Sequence, residues 1–145
     1  MPKFMKTLNN ISRSQSVFRT AKLNADGICA AHHTFVLAIC NHPGSSQEEL
    51  AREICLNKST VTRTLTHLEG KGYVRREANS EDKRSILVFH TEKMLEILPQ
   101  VRLITKEFNS LISSDIPKDE LDIFFSVISR MEEKAKSIAA NQENE

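Results

Sequence analysis

From Lys58 to Glu77 the chain reads KSTVTRTLTHLEGKGYVRRE, and its polar positions are mostly hydroxyls and arginine. An ordinary solvated helix would place Glu and Lys there. Ser59, Thr60, Thr62, Arg63 and Thr66, with Lys58 ahead of them, supply short-range hydrogen bonds and positive charge, the chemistry that grips phosphates and reads base edges. Glutamates in the same places would be repelled by a polyanion. A second cluster, Asp82, Lys83 and Arg84, follows within a polar turn-forming run, ANSEDK. Taken alone, these charges suit a solvated loop as well as a cationic tip that enters a minor groove. A third group joins a thiol to two imidazoles, Cys29, His32 and His33. A thiol at a helix amino terminus gains thiolate character and could sense an oxidant, while the plainer reading is a small residue tolerated at a cap position. The histidines could contact a ligand or simply pack. Cys29 and His33 are one helical turn apart, but two ligands fall short of the four of a structural zinc site, so no metal is assigned.

Other chemistries find less support. There is no HExxH, no GxSxG and no Gly-rich phosphate loop, and the chain has only 4 glycines. The carboxylate pairs Glu48–Glu49 and Glu132–Glu133 fit capping and solvation. An enzyme is not expected, nor a cofactor. With 145 residues, 39% of them hydrophobic, the chain has the size of one domain with a real core. No apolar run approaches the ~20 residues of a membrane span, and Met1–Asn10 lacks the apolar stretch of a signal peptide, so the sequence reads as that of a cytoplasmic protein. Three cysteines without CxxC spacing suit reduced thiols, with Cys40 and Cys55 read as ordinary buried ones. The formal charge of +1 conceals a gradient: residues 1–51 hold five basic and three acidic side chains, 52–84 eight and five, and 85–145 seven and eleven. A polyanion would meet the middle of the chain.

The elements that must hold these residues follow from spacing. Phe4, Leu8, Ile11, Gln15 and Phe18 recur at helical intervals until LNADGI breaks them. A second helix is expected over about Cys29 to Asn41, with Phe35, Val36 and Ile39 inward, ended by HPGSS. Ser46 and Glu49 form a capping box that starts a short helix through Leu50, Ala51 and Ile54. After CLN, Asn57 caps the segment quoted first and Gly70 or Gly72 stops it. Val61, Leu65 and Leu68 share one stripe of that helix, which turns Ser59, Thr62, Arg63 and Thr66 outward. Two short helices in this relation make a helix-turn-helix. Strand-like YVRRE and SILVFH flank ANSEDK as a hairpin wing. Thr91 then caps a long helix with Leu95, Leu98, Val101, Leu103 and Ile104, which Pro99 should bend. A last helix repeats Leu121, Phe124, Phe125, Ile128 and Met131.

In this order of parts the sequence resembles the multiple-antibiotic-resistance regulator (MarR) family of winged helix-turn-helix proteins over nearly its whole length. The most specific match is the Asp-x-Arg of the wing, Asp82 and Arg84. The resemblance implies a mainly α, α+β winged helix-turn-helix fold with long amino- and carboxy-terminal dimerisation helices. Residues 1–28 would be a dimerisation helix and turn, 29–91 the DNA-binding domain and 92–145 further dimerisation helices. It implies that Arg84 enters a minor groove with Asp82 as its support, and that Lys58, Ser59, Thr60, Thr62, Arg63, Thr66 and Lys83 sit where the family meets double-stranded DNA. Phe4, Leu8, Ile11, Phe124, Phe125, Ile128 and Met131 would join two copies into a homodimer, although packing within one chain accounts for the same stripes. A twofold dimer would space its reading helices by about one DNA turn, ~34 Å, over a pseudo-palindromic site. The resemblance further implies a regulator of transcription, by default a repressor, released by an oxidant or a small aromatic or phenolic effector near Cys29, His32 and His33. The competing reading is a winged helix used only for protein contacts.

Overall fold

The protein is described from a computed structural model covering residues 3–143. Residues 1, 2, 144 and 145, the outer ends of the first and last expected domains, lie outside the described residues. The chain forms α1 (Phe4–Lys22), a short 3-10 turn (Ala30–His32), α2 (His33–Asn41), β1 (Ser45–Ser46), α3 (Gln47–Ile54), α4 (Lys58–Gly70), β2 (Val74–Ala78), β3 (Ile86–His90), α5 (Glu92–Ser113) and α6 (Lys118–Glu143). This is the mainly helical winged helix-turn-helix expected from the sequence.

Local chemistry sets the boundaries. The Ser46 hydroxyl accepts from the Glu49 amide at 3.1 Å while the Glu49 carboxylate accepts from the Ser46 amide at 2.7 Å, so both ends of the capping box close. Asn57 Oδ1 accepts from the Thr60 amide at 2.8 Å and begins α4. Gly72 adopts φ +81°, the left-handed geometry that lets the chain leave α4 and enter β2. Thr91 bonds back to the Gly72 carbonyl at 2.6 Å and starts α5. Pro99 lies inside α5 without ending it. The expected second helix is divided: Cys29 caps the 3-10 turn, and α2 proper starts only at His33.

The sheet is antiparallel in the order β1-β3-β2. β2 and β3 form the expected hairpin, pairing Val74 with His90 through Ala78 with Ile86. The two-residue β1 is an addition: Ser45 pairs with Val88 and Ser46 with Leu87. Ser46 therefore belongs to the sheet and caps α3 at once.

Residues Met1–Phe108 make up one compact unit and Asn109–Glu145 a second. The core of the first contains Phe35, Val36 and Ile39 of α2, Leu50 of α3, Val61, Leu65 and Leu68 of α4, Val88 of the sheet and Met94 and Val101 of α5. The α4 stripe read from the sequence is thus fully inside. At ~25 cal/mol per Å2, a completely buried Leu or Val contributes about 1.5–3 kcal/mol, which fixes which side of α4 faces out. In the second unit none of the described side chains of α6 is buried. Phe124 and Phe125 meet edge to face at 5.5 Å and remain largely exposed. No helix among the described residues is long and apolar enough to cross a membrane.

Candidate nucleic-acid interface

With Val61, Leu65 and Leu68 buried, α4 presents Ser59, Thr62, Arg63 and Thr66 outward, all exposed, while Thr60 is half-buried. The wing brings a second contribution. Arg84 shares an open cavity of about 140 Å3 with Lys58 and Thr62 of α4, Gln47 and Glu48 of α3, and Ser46 and Ser85. Helix and wing, 20 or more residues apart in sequence, thus converge on one concavity. Asp82 accepts from the Arg84 amide at 3.0 Å, tightening the turn that carries the arginine. Lys83 is exposed at the same tip.

The outward side chains differ in how much bonding capacity they retain. Lys58 is held by Glu48 at 2.8 Å, and this hydrogen bond, then the lysine charge, lowers the Glu48 pKa. Ser59 donates to Asn57 Oδ1 at 2.8 Å. Thr62 and Thr66 each donate to the carbonyl one turn back, of Lys58 and of Thr62, both at 2.9 Å. With these protons committed, each threonine offers an incoming partner a methyl group and a lone pair and no free donor. Arg63 and Arg84 have no side-chain hydrogen bond or ion pair among the described residues. With Lys83 they are uncommitted cations of this face.

One participant escaped sequence reading. Arg76 of β2 donates from Nε to Glu69 Oε2 at 2.5 Å, from Nη1 to Gln47 Oε1 at 3.3 Å and from Nη2 to Thr66 Oγ1 at 3.2 Å. Its signal was the run of two arginines in YVRRE, where only one can point to either side of a strand. Arg75 instead lies over the Phe89 ring and pairs with Glu77.

The Cys29, His32 and His33 group divides into two places. Cys29 and His32 cap one another: the Cys29 amide donates to His32 Nδ1 at 3.2 Å and the sulfur accepts from the His32 amide. The His32 ring lies 5.0 Å from that of His67 on α4, and His67 Nε2 donates to the Gly27 carbonyl at 2.7 Å. His33 is turned into the core with no exposed surface, and neither ring nitrogen has a hydrogen-bond partner; Arg19 Nε is likewise buried and unpaired. Burial, then the Arg19 charge, lowers the His33 pKa to about 4. Burial also lowers the Arg19 pKa. Cys40 is half-buried, and burial raises its pKa. Cys55 is not the buried thiol expected: it is exposed in the α3–α4 turn at φ +58°.

The MarR family model matches residues 31–86, which hold α2 through the first residue of β3. The regulator SarZ of Staphylococcus haemolyticus, called an HTH-type transcriptional regulator, is 33% identical over 87 residues, 60% of this chain. That match spans 58% of the length of SarZ. The crystal structure of MarR superimposes with a TM-score of 0.83 at 29% identity, over 95% of this chain and 94% of the other. Over residues 31–86 the chain matches the MarR family, and its winged-helix fold is that of MarR. A putative MarR-family regulator from Listeria monocytogenes, solved with a 26mer DNA, has the same fold at TM-score 0.87 and 18% identity, covering 94% of this chain and 91% of its own. Within the MarR family match lie the whole of α4 and the wing residues Asp82, Lys83 and Arg84.

Proposed function

We propose that this MarR-family chain binds double-stranded DNA as a homodimer and represses transcription until a small aromatic or phenolic molecule, or an oxidant, releases it. The observation that carries the reading is the convergence of α4 and the wing on one concavity, with the guanidiniums of Arg63 and Arg84 left uncommitted. Free cations on a groove-sized helix and its hairpin neighbour are what a duplex backbone requires. The Listeria protein of the same fold, solved with DNA, agrees with it. In this reading Lys58, Ser59, Thr60, Thr62, Arg63 and Thr66 meet the major groove and Arg84, supported by Asp82 and flanked by Lys83, the minor groove. Residues 29–91 do the binding and the flanking segments do the pairing. Such a regulator works beside the chromosome, in the cytoplasm.

Support for pairing comes from uncovered apolar surface. α1 has no buried residue, with Ile11 exposed and Phe4 and Leu8 half-buried, and α6 exposes Phe124 and Phe125 with Ile128 and Met131 half-covered. Faces of this kind mark contact sites. Support for an effector comes from Arg19 and His33, whose unpaired buried nitrogens a carboxylate or phenol would satisfy. Cys29 and His32 lie exposed and half-exposed on the neighbouring turn.

The experiment is a gel-shift selection from randomised duplexes, repeated over a range of salt, beside a thermal-shift screen with phenolic acids and peroxide. Enrichment of a pseudo-palindrome whose affinity falls steeply with salt supports the proposal. A protein that retards no duplex even at low salt would instead be a winged helix used for protein contacts.

A further inference from the structure

Arg76, like its neighbour Arg75, is an arginine of the winged domain spent on the protein itself. Its side chain is only 20% exposed, and its three nitrogens go to three residues on two helices: Gln47 at the start of α3, Thr66 in the middle of α4 and Glu69 near the end of α4. Gln47 extends the chain, donating from Nε2 to Thr62 Oγ1 at 3.4 Å. Both threonines of the outer face are therefore held from two sides, by the helix carbonyl below and by a side chain from outside α4. Because Arg76 stands on β2, opposite Val88 of β3, the same group ties the base of the wing to the reading helix.

We infer that Arg76 is a positioning residue for DNA recognition: without touching the duplex, it holds Thr62 and Thr66 in fixed rotamers and locks the wing to α4 and α3. The inference rests on the DNA reading above. A planar guanidinium is required, because only a fork with several donors in fixed directions can bond three acceptors on two helices; a lysine ammonium keeps the charge and loses the geometry. Recognition of sequence depends on that geometry, whereas attraction to the phosphate backbone depends on charge alone.

The test compares Arg76→Lys and Arg76→Ala with the wild type on two probes: the duplex that the wild-type protein enriches from a randomised pool, and poly(dI-dC). Arg76→Lys should bind the enriched duplex about tenfold more weakly, the effect of losing charge-assisted hydrogen bonds. It should bind poly(dI-dC) as the wild type does, with the same slope of log affinity against log salt. Glu69→Ala, at a half-exposed position, gives a second variant should Arg76→Ala not fold; it should lose specific affinity while leaving poly(dI-dC) binding no weaker. Equal binding of the enriched duplex by wild type and Arg76→Lys overturns the inference. So does a shallower salt slope in Arg76→Ala, which would make Arg76 a phosphate ligand. A wild-type protein that enriches no duplex sinks the DNA reading itself, a result separate from either of these.

Discussion

His33 and Arg19 stand together in the interior of the first unit as two polar groups without hydrogen-bond partners on His33 Nδ1, His33 Nε2 and Arg19 Nε. The imidazole is thereby kept neutral, its pKa lowered to about 4 by burial and then by the Arg19 charge. In the unfolded chain a histidine titrates near ~6.5. The unfolded state therefore takes up the proton first as pH falls. Stability from this site is complete above ~6.5 and is lost progressively from there toward pH 4, at up to ~1.4 kcal/mol per pH unit. His32, whose pKa is lowered by burial and then by His67, acts in the same direction. Urea unfolding at pH 7 and pH 5 should show the loss, and His33→Leu should flatten it. An equally steep pH dependence in His33→Leu would place the titrating group elsewhere.

Cys55 holds φ +58° in the turn of the helix-turn-helix. A left-handed non-glycine residue is strained by roughly 1–2 kcal/mol, and glycine recovers this less the entropy it adds to the unfolded chain. Cys55→Gly should raise stability by about 0.5 kcal/mol, with a small offset for the weak contact from the sulfur to the Arg52 carbonyl at 3.6 Å. Cys55→Val, β-branched at the same φ, should lower the melting temperature. Differential scanning calorimetry on the pair decides it through the opposite signs of the two shifts.

Arg84 and Asp82 should be separable by salt. In the proposed DNA reading Arg84→Ala removes a phosphate or groove contact, so affinity for the enriched duplex should drop about tenfold and the salt slope should fall by about one. Asp82→Ala frees the amide it now accepts from and loosens the wing tip. Its affinity should drop with the slope unchanged. Fluorescence anisotropy over a salt series reads both quantities, and a changed slope in Asp82→Ala would contradict the assigned roles.

Phe124 and Phe125 lie on α6 with 51% and 58% of their surfaces exposed. If these rings form part of a homodimer contact, Phe124→Glu with Phe125→Glu buries two unpaired charges there, which costs several kcal/mol. Sedimentation at roughly 10 µM should then change from dimer to monomer, with a melting temperature that no longer depends on protein concentration. A wild-type chain that sediments as a monomer would remove the pairing from the proposal.

Much of this architecture was legible because it is written in short-range chemistry. Ser46 with Glu49, Asn57 with Thr60 and Thr91 as the cap of α5 announce element boundaries through residues close in sequence or with strong positional preference, and Val61, Leu65 and Leu68 betray their buried side by period. What stayed hidden depends on distance. β1 is two serines with no strand propensity, paired only because Leu87 and Val88 arrive 41 and 43 residues after their partners. Arg76 resembles any solvated strand arginine until Gln47, 29 residues away, comes within reach. The exposed Cys55 was misjudged because cysteine seldom takes a left-handed φ, and thiol burial is only a statistical tendency. His33 looked like one of a pair with His32, yet adjacent helix positions point about 100° apart, and one ring entered the core while the other met His67.

Ser46 is paired with Leu87 in the sheet and is also the cap of α3. A hinge needs slack between the parts it joins, and here a single residue is the last link of one and the first of the other. Any tilt of the hairpin is transmitted as torque on the helix-turn-helix, so the two cannot dock one after the other at their own angles. In the DNA reading proposed above, a duplex whose grooves are out of phase with this pair would have to deform to be held, and the bending stiffness of the DNA itself would enter what is selected.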